Sequence, residues 1–196
     1  MTTTQHLRQT IFLDRDGVIN QDSPDYIKTR EEFTFLPGSV EAIFRLYRNG
    51  FDIIVITNQS VINRKMTTPE ELQAIFSKMK TGIEAGGGRI KDIFFCPHMP
   101  EDGCDCRKPL PGLIHQAIRK YDLNPAQAVM VGDSIKDILC GRAAGVGTGV
   151  LVMTGNGPKA QKELDRSGHT PPDYIARDLN DAATWIITHC SIPPAP

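Results

Sequence analysis

The 196-residue chain carries no excess of charge of either sign, with 22 lysines and arginines against 23 acids, so no basic stripe argues for a nucleic-acid partner. It has no apolar stretch long enough to cross a bilayer, and Met1 to Gln9 lacks the apolar core of a secretory signal. It has no internal repeat and no linker that would divide it, so one domain is expected over 1–196. A domain of that length buries roughly 70% of its unfolded surface. Cysteine is scarce and unevenly placed: there are five, and three of them crowd between Cys96 and Cys106. An odd, clustered set points to a metal site in a reducing compartment rather than to a disulfide framework, with the cytoplasm as the expected location. No large apolar stripe is left over once the core is assigned, so a monomer is expected.

What is present is an ordinary globular balance, 40% hydrophobic and 23% charged. Apolar runs alternate with amphipathic stretches, the signature of βαβ units and a mostly parallel sheet. Strands are predicted at Ile11 to Leu13, 51–56, 90–95, 128–131 and 149–153, with a short edge strand at 173–176. Helices are predicted at 39–49, from the capping box Thr68-Pro69-Glu70-Glu71 to Gly86, and at 111–121, 135–144 and 179–189. Gln21 to Pro37 is polar and long enough to cover a substrate. Gly155-Asn156-Gly157-Pro158 is expected to be a loop at the crevice rim, and 191–196 a disordered tail.

The chemistry gathers at predicted strand ends, where open α/β sheets bind ligands. The first strand runs into Asp14-Arg15-Asp16-Gly17, the second into Thr57-Asn58-Gln59-Ser60 and the fourth into Gly132-Asp133; Arg107-Lys108 joins them from another segment. Together these residues suffice for phosphoryl transfer. Asp14 and Asp133 offer hard oxygen ligands for Mg²⁺. Lys108 offsets charge on the phosphoryl oxygens and keeps Asp14 ionised. The Thr57 hydroxyl and the N–H groups of its turn donate to the same oxygens, and Asp16 moves the proton of the leaving group. Separately, Cys96-Pro97-His98, five residues, then Cys104-Asp105-Cys106 presents three thiolates and one imidazole, a set suited to tetrahedral structural Zn²⁺. A metal there would fold the polar loop 96–106 and fix Arg107 and Lys108.

The four blocks, in this order over Ile11 to about Gly155, resemble the haloacid dehalogenase (HAD) phosphatase superfamily. The resemblance implies an α/β, Rossmann-like three-layer sandwich with a mostly parallel central sheet, no large cap domain and here a small zinc-binding loop. It implies Asp14 as nucleophile, Asp16 as general acid/base, and Mg²⁺ held by Asp14, the Asp16 carbonyl and Asp133, with Asp137 supporting the site from one turn further on.

Within the superfamily, the C-x-H…C-x-C-R-K-P loop is similar to that of D-glycero-D-manno-heptose 1,7-bisphosphate 7-phosphatases and of histidinol phosphatases. Lys108-Pro109-Leu110-Pro111-Gly112 and the Asp22-Ser23-Pro24-Asp25-Tyr26 loop favour the former. That resemblance implies a sugar phosphate substrate on the way to nucleotide-activated heptose for lipopolysaccharide. It also implies contacts from Asp22, Ser23, Pro24, Asp25, Tyr26, Asn58, Gln59, Ser60, Arg64, Arg107 and Lys108. Two places depart from the pattern. Val61-Ile62-Asn63 replaces a glycine-containing run, and Ser134 stands where lysine is usual, leaving Lys136 within reach of a second phosphate. Histidinol phosphate is the alternative substrate, and a zinc-stabilised binding module without catalysis is the alternative of another class.

Overall fold

A computed structural model describes residues 8–190, so the expected disorder of 191–196 lies outside the described residues. Six strands form one fully parallel sheet: β1 (Gln9–Leu13), β2 (Phe51–Asn58), β3 (Asp92–Cys96), β4 (Val129–Gly132), β5 (Thr148–Val152) and β6 (Tyr174–Ala176), in the order β3-β2-β1-β4-β5-β6. Leu13 pairs with Val55 on one side and Val131 on the other. β1 is therefore the central strand, and the strand order reverses direction between β1 and β4. That switch point is where a crevice opens beyond the strand ends.

Alternation along the strands builds the layers. Ile11, Leu13, Ile53, Val55, Val129 and Val131 face one side and pack with α1 (Ser39–Arg48), α2 (Pro69–Ala85) and α6 (Leu179–His189). Phe12, Ile54, Ile56 and Met130 face the other and pack against α3 (Gly112–Tyr121) and α4 (Ile135–Ala143). Strands covered on both faces read as continuous apolar runs, as these do. The result is the expected three-layer sandwich. No described helix is long and apolar enough to cross a membrane.

Two expectations change in detail. Gly157 and Pro158 are not loop: they open α5 (Gly157–Ser167), with proline in its first turn. Residues 21–37 contain no helix and are stitched to the body. Gln21 N–H closes the segment on itself at Thr34 O (2.9 Å), while Leu36 N–H donates to Ile19 O (2.9 Å) and Lys78 Nζ of α2 reaches the carbonyls of Arg30 and Phe33. Ile27 and Phe33 are buried beneath the segment, which is a fixed rim and not a separate cap.

Candidate active site and candidate metal centre

The crevice beyond β1 and β4 has a volume of about 290 Å³ and is walled by Asp14, Asp16, Thr57, Lys108 and Asp133, among others. Backbone geometry brings these groups close. Gly17 adopts φ +76°, and a Cβ there would lie 2.1 Å from Asp133 Oδ2; one on Gly155 would lie 2.2 Å from the same oxygen. Only residues without a side chain let the β1 and β5 turns close on Asp133 from both sides.

Lys108 is 3% exposed and anchors the acids. Its Nζ lies 2.8 Å from Asp14 Oδ1 and 2.6 Å from Asp137 Oδ1, and donates to Ile56 O at 2.9 Å. Burial opposes its charge, but the two carboxylates prevail and hold its pKa above the usual lysine value. Asp137, fully buried, spends its other oxygen on Ser134, whose N–H (3.0 Å) and Oγ (2.8 Å) donate to Oδ2, forming the capping box of α4.

Burial raises Asp14 well above the ordinary carboxylate range, and nearby Asp137 and Asp133 add to this against the pull of Lys108. Asp133 is pushed up to about 6 by burial and by Asp137, offset in part by Asn156, whose N–H and Nδ2 donate to Oδ2 at 2.7 and 3.2 Å. The oxygens of Asp14, Asp133 and Asp137 lie within 4.8 Å of one another. Three carboxylates around one ammonium leave an excess of buried negative charge, which a hard divalent cation fits. Asp14 Oδ2 and Asp133 Oδ1 take part in none of the bonds above, whereas both Asp137 oxygens are engaged. The donor set therefore suits Mg²⁺ on Asp14 and Asp133, with Asp137 holding Lys108.

Asp16 lies across the crevice in a network that sequence reasoning did not foresee. Arg15, 0% exposed, donates Nη2 to both carboxylate oxygens (2.7 and 2.8 Å) and Nε to Oδ1 (3.1 Å), while its guanidinium lies 5.9 Å from the Phe76 ring. Asn20 Nδ2 donates to Oδ1 at 2.9 Å and Gln59 Nε2 to Oδ2 at 3.0 Å.

The other expected contacts divide. Asn58 lines the crevice and also docks the lysine segment, with Nδ2 on Lys108 O (3.2 Å) and Oδ1 accepting from Lys108 N–H (3.1 Å). Asp22 lines the rim and accepts from Asn156 Nδ2 at 2.9 Å. Ser23, Pro24, Asp25, Tyr26, Gln59, Ser60, Arg64 and Arg107 are not among the crevice-lining residues. Ser23 Oγ accepts from Asp25 N–H (3.2 Å), Arg64 lies over the Tyr26 ring at 5.8 Å, Ser60 is buried in its turn, and Arg107 Nη1 donates to His98 O (3.0 Å). Lys136 and Lys159 do line it, the second from the unforeseen α5.

The thiol cluster is a separate centre. Cys96 Sγ lies 3.1 Å from Cys106 Sγ and 3.6 Å from Cys104 Sγ, and His98 Nδ1 lies 3.5 Å from Cys96 Sγ and 3.3 Å from Cys106 Sγ. Ligands of a tetrahedral Zn²⁺ with Zn–S of about 2.3 Å stand roughly 3.8 Å apart. Four donors already this close fit that ion, with no position left open. The site belongs to the sheet as much as to the loop, because Cys96 closes β3 in register with Asn58.

Comparison with known proteins agrees with this architecture. Residues 105–182 match the family model described as "HAD-hyrolase-like". The D-glycero-beta-D-manno-heptose-1,7-bisphosphate 7-phosphatase of Bordetella bronchiseptica is 41% identical over 177 residues, covering 90% of this chain and 97% of that protein. The enzyme of the same name from Pseudomonas aeruginosa is 45% identical over 150 residues, 76% of this chain and 84% of that one. The crystal structure of D,D-heptose 1,7-bisphosphate phosphatase from B. bronchiseptica, complexed with magnesium and phosphate, superposes with a TM-score of 0.86 at 40% identity, covering 92% of this chain and 98% of that one.

Proposed function

The chain belongs to the D-glycero-beta-D-manno-heptose-1,7-bisphosphate 7-phosphatase family, and on that premise we propose that it removes the C7 phosphate of this bisphosphate. The product would serve nucleotide-activated heptose in lipopolysaccharide synthesis, with the enzyme acting as a cytoplasmic monomer. Mg²⁺ would sit on Asp14, the Asp16 carbonyl and Asp133, where it supplies positive charge for the phosphoryl oxygens. Cys96, His98, Cys104 and Cys106 would hold a structural Zn²⁺.

The chain's own groups account for the proton and charge traffic. An Asp14 carboxylate oxygen attacks phosphorus as the C7–O–P linkage breaks, and Asp16 protonates the departing C7 alkoxide. Asp16 then takes a proton from the water that attacks the phosphorus of the aspartyl phosphate, which releases inorganic phosphate and restores Asp14. Lys108, fixed by Asp14, Asp137 and the Ile56 carbonyl, faces the transferring group with its charge already in place. Thr57 contributes its hydroxyl. The phosphate retained at C1 needs cations of its own. Lys136 and Lys159 line the crevice and have no described ion pair, so they suit it, and Asp22 on the rim would meet the sugar.

The observation that carries this reading is the joining of Asp14, Lys108 and Asp133 at the β1/β4 switch point with Asp16 facing them. Phosphate release with Mg²⁺ tests it. The bisphosphate should be preferred over histidinol phosphate by at least about ten-fold in kcat/KM. Preference for histidinol phosphate would overturn the substrate, and absence of Mg²⁺-dependent hydrolysis of either would overturn the reaction.

A further inference from the structure

Gln59 lies in the second catalytic block, yet its side chain faces inward. It is 3% exposed, and Nε2 stands 3.0 Å from Asp16 Oδ2 and 3.0 Å from Thr57 Oγ1. Its backbone is equally fixed: the N–H donates to Cys96 O at 2.7 Å, tying the turn after β2 to the first residue of the thiol cluster. One amide group thus touches both the residue assigned to proton transfer and the hydroxyl assigned to the phosphoryl oxygens.

The chemistry of an amide gives this contact a direction. In the ionised form that takes the proton from water, Asp16 offers only acceptors, so the atom facing it is the NH₂ nitrogen and not the amide oxygen. That nitrogen has two N–H bonds and no lone pair to offer. One N–H serves Asp16, and the other makes Thr57 Oγ1 an acceptor. The Thr57 proton must then point away from Gln59, and Thr57 lines the crevice. No described residue receives that proton, which leaves it free for a phosphoryl oxygen. Asp16 is also held by Arg15, which donates to both of its oxygens, and by Asn20 on Oδ1, so Gln59 adds a second donor on Oδ2 and completes its orientation.

We propose, resting on the phosphatase reading above, that Gln59 is a positioning residue that fixes the Thr57 hydroxyl as a donor into the crevice and holds the Asp16 carboxylate in line with it. Gln59 touches neither substrate nor reacting atom; it acts through two residues that do. This role differs from the substrate contact implied by its place in the sequence. It also explains why the amide is buried against the floor of the crevice instead of lining it.

Two variants and one cycle test the proposal. Gln59→Met keeps the length and removes both donors; kcat on the bisphosphate with Mg²⁺ should fall roughly 10- to 100-fold while KM stays within about three-fold. Gln59→Glu keeps the shape but turns a donor into an acceptor that attracts the Thr57 proton and repels Asp16, so its loss should be the larger; it also serves if Met is not accommodated. In a Thr57→Ala background, Gln59→Met should cost measurably less than in the parent, because one of its two targets is gone. Rates are taken per zinc-loaded molecule, so a loss of folded protein does not mimic the effect.

Retention of kcat within about two-fold in the variants, or equal cost in both backgrounds, would overturn the proposal. If the parent protein hydrolyses no bisphosphate, the phosphatase reading itself fails. Variants that match an active parent count against Gln59 alone.

Discussion

The acid crevice and the thiol cluster lie on neighbouring strand ends, yet they solve opposite problems. In the crevice, Asp14, Asp133 and Asp137 crowd around a single buried ammonium, burial raises the first two acids, and the site faces solvent. In the cluster, three sulfurs and an imidazole already stand within 4.8 Å of one another around a shared centre. Hard oxygens with coordination to spare suit an ion that must also meet substrate; soft ligands with none to spare suit an ion that only holds the chain. The two are joined covalently, since Arg107 alone separates Cys106 from Lys108. Non-covalent ties run through Arg107 to the His98 carbonyl and through the Gln59 N–H to the Cys96 carbonyl.

Asp14→Asn should break the comparison most sharply. Turnover should fall by about 10⁴-fold or more while zinc content and the melting curve stay those of the parent. Loss of zinc along with activity would mean that the centres are not separable. Cys106→Ser should do the reverse, lowering Tm by about 10 °C and reducing activity only as folded protein is lost. Calorimetry and rates per folded molecule at low temperature check this, and an inactive but stable variant would contradict it.

A smaller effect is expected from Lys136→Ala with Lys159→Ala. KM for the bisphosphate should rise about ten-fold with kcat little changed, and a sugar monophosphate should be hydrolysed as before. Equal losses on both substrates would remove these lysines from the C1 phosphate.

The smallest effect concerns pH. Because Asp14 and Asp133 have raised pKa values, the folded chain without Mg²⁺ binds more protons than the unfolded chain. Its stability should therefore decline as pH rises from about 5 to 7, and excess Mg²⁺ should flatten that decline. Melts at fixed zinc across this range measure it, and an identical slope with and without Mg²⁺ would contradict the assignment of these acids.

Much of this was legible in the sequence, for identifiable reasons. Ile11-Phe12-Leu13 running into Asp14 and Asp16 announces a central strand with two acids at its end, because a strand buried on both faces cannot alternate. The cysteine spacing announces the closed centre. Helix α5 stayed hidden because Gly157–Ser167 buries only Gly157, Ala160 and Leu164, too few apolar positions to set a period, and with it went Lys159. Arg15 and Gln59 stayed hidden for another reason. A polar residue beside a strand-end acid reads as exposed or substrate-facing, and the partner of Gln59 is 43 positions away, at Asp16. Only the closure of β1 against β2 brings that donor to that carboxylate.

The central claim is that phosphorus is transferred first to Asp14 and then to water. The most direct measurement is the stereochemical course at phosphorus, using the bisphosphate made chiral at C7 as a thiophosphoryl group carrying two oxygen isotopes and hydrolysed in water of the third. Two displacements through Asp14 predict net retention of configuration in the released thiophosphate; inversion would mean a single direct attack by water and would contradict the account.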